Sequence, residues 1–184
     1  CDADIEDVFL PNETVTRVIG VHAANKTKRH VEAVEISGQT MYFLVQGLIQ
    51  FFPKINQLYV FRSDLKSISR SDFAQYTQLK TISLSRNHLT TINDDAFNDL
   101  VNLEYLSLSF NQLTSVPNLQ ALTKLKLLYL FENSITTLSP EDFSNNKNLD
   151  TIWLNQNKIN SVDPDVFSSL QNLKVADLTL NIQV

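Results

Sequence analysis

From Leu79 to Leu113 the apolar positions recur as a phrase, not as a simple helical or strand period. Leu79, Ile82, Leu84, Asn87 and Leu89 return 24 residues later as Leu103, Leu106, Leu108, Asn111 and Leu113. Five positions matching together establish an internal repeat, and a period of this length predicts a solenoid of stacked coils. With the first residue of the phrase as position 1, repeats start at Val31, Ile55, Leu79, Leu103, Leu125, Leu149 and Leu173. All spacings are 24 residues except the fourth, which is 22. Apolar residues at positions 4 and 6 alternate with positions 3, 5 and 7, the period-two mark of a half-buried strand. Successive strands are therefore expected to stack in parallel about 4.8 Å apart.

Two further columns complete the pattern. Asn87, Asn111, Asn133, Asn157 and Asn181 hold position 9, where the chain leaves the strand. A side-chain amide both donates and accepts, so it can satisfy the backbone of that turn from inside. Gln39 and Ser63 stand there in the first two repeats, predicting less regular turns. On the outer side Ile49, Phe73, Phe97, Phe143 and Phe167 are expected to fill a wider convex layer. The short repeat offers Leu119 and Leu122 instead, behind Val116 and Pro117.

Residues 1–30 do not carry the repeat. The β-branched run Thr14–His22 predicts a strand, and a solenoid needs its first coil covered. We therefore read 1–30 as an N-terminal cap and 31–184 as the repeats. The seventh repeat has Ala176 at position 4 and Gln183 at position 11, and runs to Val184. A C-terminal cap is read as absent, so its strand is expected to be an edge open to pairing, a route to a dimer. Asn12-Glu13-Thr14 and Asn25-Lys26-Thr27 are glycosylation sequons, both outside the repeats. The single cysteine, Cys1, is either an inert thiol or half of a disulfide whose partner lies on another chain or beyond the end of this sequence.

The period, the asparagine column and the phenylalanine column resemble the typical-class extracellular leucine-rich repeat family over 31–184. That family includes Toll-like receptor ectodomains, small matrix proteoglycans and secreted leucine-rich immune proteins of insects. Its usual N-terminal cap has four clustered cysteines; with one, this chain is more similar to the insect immune members. The resemblance implies an α/β solenoid, a curved horseshoe with about seven parallel concave strands and a strand-containing cap. It also implies a secreted recognition module of innate immunity.

A net charge of −5 and a pI near 5.1 argue against nucleic acid or an anionic membrane as partner. No apolar run approaches the roughly 20 residues of a membrane span. His22, His30 and His88 lack metal-ligand spacing. No glycine-rich phosphate loop or nucleophile elbow is present. Asp94-Asp95 and Glu141-Asp142 read as solvated loop charges. We therefore expect no catalytic residue, no metal and no cofactor.

Side chains at positions 3, 5, 7, 8 and 10 are expected to face a partner on the concave side. Tyr59, Phe61, Tyr105, Phe110, Leu127, Tyr129, Phe131 and Trp153 fall there, with Arg62 and Arg86 at one flank and Glu132 and Lys158 at the other. Strands favour aromatics in any case, but contiguous exposed apolar surface marks interfaces, and aromatics and arginine are enriched at hot spots. These residues are the candidate site for a protein partner. The alternative function is an extracellular adhesion or matrix scaffold that self-associates. A third, an intracellular regulatory repeat, would suit one reduced cysteine; glycan at Asn12 or Asn25 would remove it.

Overall fold

A strand with alternating apolar residues has one face to bury, and in a solenoid the neighbouring coils cover it. The computed structural model of the chain describes residues 30–182. Its elements in order are β1 (Ala33–Ser37), α1 (Leu48–Phe51), β2 (Gln57–Phe61), α2 (Arg70–Phe73), β3 (Thr81–Ser83), β4 (Tyr105–Ser107), β5 (Leu127–Tyr129), β6 (Thr137–Leu138), β7 (Thr151–Trp153), β8 (Ser161–Val162) and β9 (Val175–Asp177). Seven of them form one parallel sheet in the order β1-β2-β3-β4-β5-β7-β9. A short pair, β6 and β8, forms a second sheet beside it. The result is a parallel-strand solenoid, as the spacing predicts.

Register never slips. Val34 pairs with Leu58, Leu58 with Ile82, Ile82 with Leu106, Leu106 with Leu128, Leu128 with Ile152 and Ile152 with Ala176. The 22-residue coil keeps this register because its shortening falls after the strand. Each repeat position is thus a column running across the sheet. The position-4 residues Leu58, Ile82, Leu106, Leu128 and Ile152 are fully buried, each contributing about 1.5–3 kcal/mol by leaving water.

The asparagine column binds successive coils together. The Asn111 amide donates to Leu84 O at 3.0 Å in the preceding coil and to Leu108 O at 2.9 Å in its own, while its Oδ1 accepts from Leu89 N at 3.1 Å. Asn133 repeats the arrangement with Leu108 O, Leu130 O and Leu113 N, and Asn157 with Leu130 O, Leu154 O and Ile135 N. In the second coil, where Ser63 holds position 9, the Asn87 carbonyl of the third coil reaches back to Ser63 N and Leu65 N. That turn carries a second left-handed residue, Asp64 at φ 59°, so it is less regular, as expected.

One column is invisible in residue type. Gly38, Arg62, Arg86, Phe110, Glu132, Gln156 and Leu180, all at position 8, have φ between 52° and 67°. The left-handed backbone lets the chain leave the strand sharply enough to aim position 9 inward. Only Gly38 has the residue type suited to it; the other six accept a cost of about 1 kcal/mol each.

On the convex side Phe73, Phe97 and Phe143 are buried, with ring centroids 6.0 Å apart for Phe73–Phe97 and 5.8 Å for Phe143–Phe167. In the first coil Leu48 and Phe52 fill the interior, and Ile49 is only half-buried against it, because the one-turn helix α1 rotates Leu48 inward. The expectation for Glu141-Asp142 needs correction. Asp142 is half-buried and caps a turn, its Oδ2 accepting from Ser139 N at 2.7 Å, and burial pushes its carboxyl up. Asp72 does the same at Ser69 N. Asp94, Asp95 and Glu141 are exposed.

At the far edge Val175, Leu180 and Ile182 are 44%, 75% and 54% exposed. No helix among the described residues is long and apolar enough to cross a membrane. The strand expected at Thr14–His22, the sequons at Asn12 and Asn25, Cys1 and the end of the last repeat lie outside the described residues.

Candidate recognition surface

With positions 4 and 6 buried, the pleat turns positions 3, 5 and 7 to the concave side. Position 8 joins them through its left-handed backbone. On β4, β5 and β7 this brings the predicted rings into one cluster. Tyr105 meets Tyr129 edge-on at 5.3 Å, and Tyr129 stacks on Trp153 at 5.2 Å. Phe131 lies 6.3 Å from Tyr129 and 5.9 Å from Trp153, and Phe110 meets Phe131 edge-on at 5.1 Å. Such ring pairs contribute about 0.5–1.5 kcal/mol each beyond area burial. The Arg86 guanidinium lies 3.9 Å from the Phe110 centroid. Leu127 sits between Tyr105 and Thr151 in register. The rings shield one another to half-burial, and Trp153 remains 38% exposed.

Tyr59, Phe61 and Arg62 do not join this cluster. They lie on and just after β2, separated from the rings by β3, and the Tyr59 hydroxyl donates locally to Gln57 Oε1 at 2.9 Å. Between the two aromatic groups lies a strip of position-5 and position-7 residues outside the candidate set: Ser83, Ser85, Ser107 and Ser109, on the third and fourth coils. The hydroxyls of Ser83 and Ser85 are 3.1 Å apart, and those of Ser85 and Ser107 2.7 Å. Ser107 and Ser109 are buried although they point to the concave side, because taller rings rise beside them. The Ser109 Oγ is buried without a hydrogen-bond partner. Burial pushes the Tyr105 phenol up, opposed by its hydrogen bond to Ser107.

The rim is polar and partly fixed. Glu132 Oε1 accepts from Gln156 Nε2 at 2.7 Å. His88 bridges Asp64, at 3.2 Å, and Gln112, at 3.1 Å. Arg62 and Arg86 sit on adjacent coils, Arg62 N donating to Arg86 O at 2.8 Å, and neither has an ion-pair partner among the described residues. No group of three His, Cys, Asp or Glu residues among the described ones is spaced to hold a metal ion. The arrangement offers apolar rings, hydroxyls and two guanidinium groups, which suits binding.

Comparison with known proteins agrees with this geometry. A family model described as leucine rich repeat matches residues 53–113, and one of two leucine rich repeat copies matches 101–145, together about half of the chain. No curated protein matches. Among solved structures, TLR13 in its complex with ssRNA13 superposes with a TM-score of 0.65 and 25% identity, over 82% of this chain and 25% of that one. An internalin (inlF) from Listeria monocytogenes 4b F2365 superposes with a TM-score of 0.65 and 20% identity, over 83% and 43%, a likeness of fold alone. The chain spans less than half the length of either.

Proposed function

Because the chain is a leucine-rich repeat protein, we propose that it is a secreted recognition module of innate immunity that binds a protein partner through its concave face. The observation that carries this reading is the unbroken cluster of Tyr105, Phe110, Tyr129, Phe131 and Trp153, with Arg86 on Phe110, on the solvent side of the sheet. Rings that served only the fold would be buried in the interior, as Phe73 and Phe97 are. Surface rings and arginine are what protein interfaces concentrate at their centres. Secretion is supported by the two sequons and by the family resemblance; glycan mass at Asn12 or Asn25 tests it. The binding test is capture from the extracellular fluid of the source, wild type against a Tyr129→Ser, Phe131→Ser, Trp153→Ser variant. Loss of about 2 kcal/mol or more per anchor is expected, with the melting curve kept cooperative. Unchanged capture overturns the reading.

A further inference from the structure

We propose that the open face of Trp153, with the Asp177 carboxylate beside it, is the seat for an arginine side chain of the protein partner. This rests on the reading that a protein partner uses the concave face, and it names the side chain that partner must bring.

The aromatic cluster has two ends, and the chain treats them differently. At the end nearer the first coil stand Tyr105 and Phe110, and Phe110 is already covered by the Arg86 guanidinium, 3.9 Å from its centroid. At the other end the last ring is Trp153, and its only ring contacts among the described residues come from the fifth coil. Tyr129 lies nearly parallel to the indole, at 26° and 5.2 Å, and Phe131 tilts against it at 5.9 Å. The opposite face of the indole is therefore turned towards β9. Position 5 of β9, in register with Trp153, is Asp177. Strand alternation sets it on the same side of the sheet, one spacing of about 4.8 Å away. A carboxylate is too short to screen an indole. Trp153 is accordingly 38% exposed, whereas Tyr129, with a ring on either side, is half-buried.

Asp177 is free to take a cation. Its Oδ1 accepts from Thr179 N at 2.9 Å, which fixes the side chain. Its Oδ2 is neither buried nor hydrogen-bonded, and no ion pair among the described residues uses it. Positions 3 to 8 of the fifth, sixth and seventh coils hold two acids, Glu132 and Asp177, and no lysine or arginine. The lysines at position 2, Lys126 and Lys174, are paired with Glu104 at 2.7 Å and Asp150 at 3.9 Å, and Lys158 follows the turn at position 10. This half of the face thus presents a π surface beside an unpaired negative charge. A guanidinium uses both at once. Lying flat on the indole, above the shorter carboxylate, it can turn its N–H edge down to Oδ2. An ammonium lacks the plane for this, and an aliphatic side chain would strip water from Asp177 and return nothing. The stacking of Arg86 on Phe110 is the same contact made by the chain itself at the cluster's other end.

The probe is a displayed library of short random linear peptides, selected on the wild-type chain. Binding is read by tryptophan fluorescence, which reports on this face directly because Trp153 is the one tryptophan of the chain. Enriched peptides should carry Arg and change the Trp153 emission. Their affinity should fall about tenfold or more when that Arg becomes citrulline, its neutral isostere. Asp177→Asn, which keeps an acceptor for Thr179 N and removes the charge, should lower it about tenfold. Asp177→Arg, which sets a guanidinium of the chain's own beside the indole, should abolish binding. Melting curves confirm that both variants fold. The proposal is overturned by no enrichment, by enriched peptides lacking arginine, by citrulline peptides binding as well, or by a neutral oligosaccharide such as maltohexaose binding more tightly than the peptides. Peptides lost in the triple serine variant yet indifferent to both Asp177 variants overturn the arginine seat and leave the aromatic reading standing. Peptides indifferent to the triple serine variant overturn both.

Discussion

Asn111 and Phe110 are adjacent in the chain and end on opposite sides of the sheet. Asn111 turns inward, where it is buried and bonds two coils at once. Phe110, at φ 55°, turns outward onto Phe131 and under Arg86. The inner column answers a need every coil has, unpaired backbone groups at the turn, so the same residue recurs from Asn87 to Asn181. The outer columns answer to no such need. Positions 5 and 7 change from coil to coil, from tyrosine to serine to tryptophan, with the register unchanged. Uniformity marks what the fold requires, and variation marks the surface left free to specialise.

The separation between the columns can be broken from the inside first. Asn111→Ala strands Leu89 N in the interior, at about 1–3 kcal/mol, and removes one of two donors from Leu84 O and Leu108 O, which keep Asn87 and Asn133, at about 1 kcal/mol each. A loss of about 3–5 kcal/mol is expected in denaturant unfolding, with partner capture at saturating fold unchanged. A loss below 1 kcal/mol would mean the column is decoration.

Next in size is an interior ring that titrates. Burial pushes the Tyr76 phenol from 10.0 up to about 12. Its folded value lies above its unfolded one, so its contribution is complete below pH 10 and is lost as pH rises from 10 towards 12. This is on the order of 2–3 kcal/mol. Tyr76→Phe should flatten the alkaline limb of the stability curve by that amount; an unaltered limb would place the titration elsewhere.

The smallest effect lies at the hinge between the two columns. Arg62→Val puts a β-branched residue at φ 52° and should cost about 1 kcal/mol more than Arg62→Gly, which suits the left-handed turn. Equal melting temperatures for the two variants would show that the turn relaxes away from this backbone.

Much of this architecture is legible in the chain alone. The repeat starting at Leu79 sets the coil length, alternation at positions 4 and 6 sets the strands, and the asparagines mark the turns, because each depends on residue type at fixed spacing. The outward direction of Tyr129, Phe131 and Trp153 follows from the same alternation. The exception at Asp142 is instructive, since its role as a cap depends on Ser139 and on local dihedrals.

Tertiary structure decided the rest. It placed position 8 in the left-handed region in all seven coils, although only Gly38 has a residue type suited to it. It divided the predicted aromatic residues into two groups, with Tyr59 and Phe61 across a serine floor from Tyr129 and Phe131. It buried Ser107 and Ser109 on a face where small polar residues are ordinarily wet. The reason is common to all three. Closing a coil fixes dihedrals whatever the side chain, and the depth of a residue on a stacked sheet depends on the height of neighbours a full repeat away.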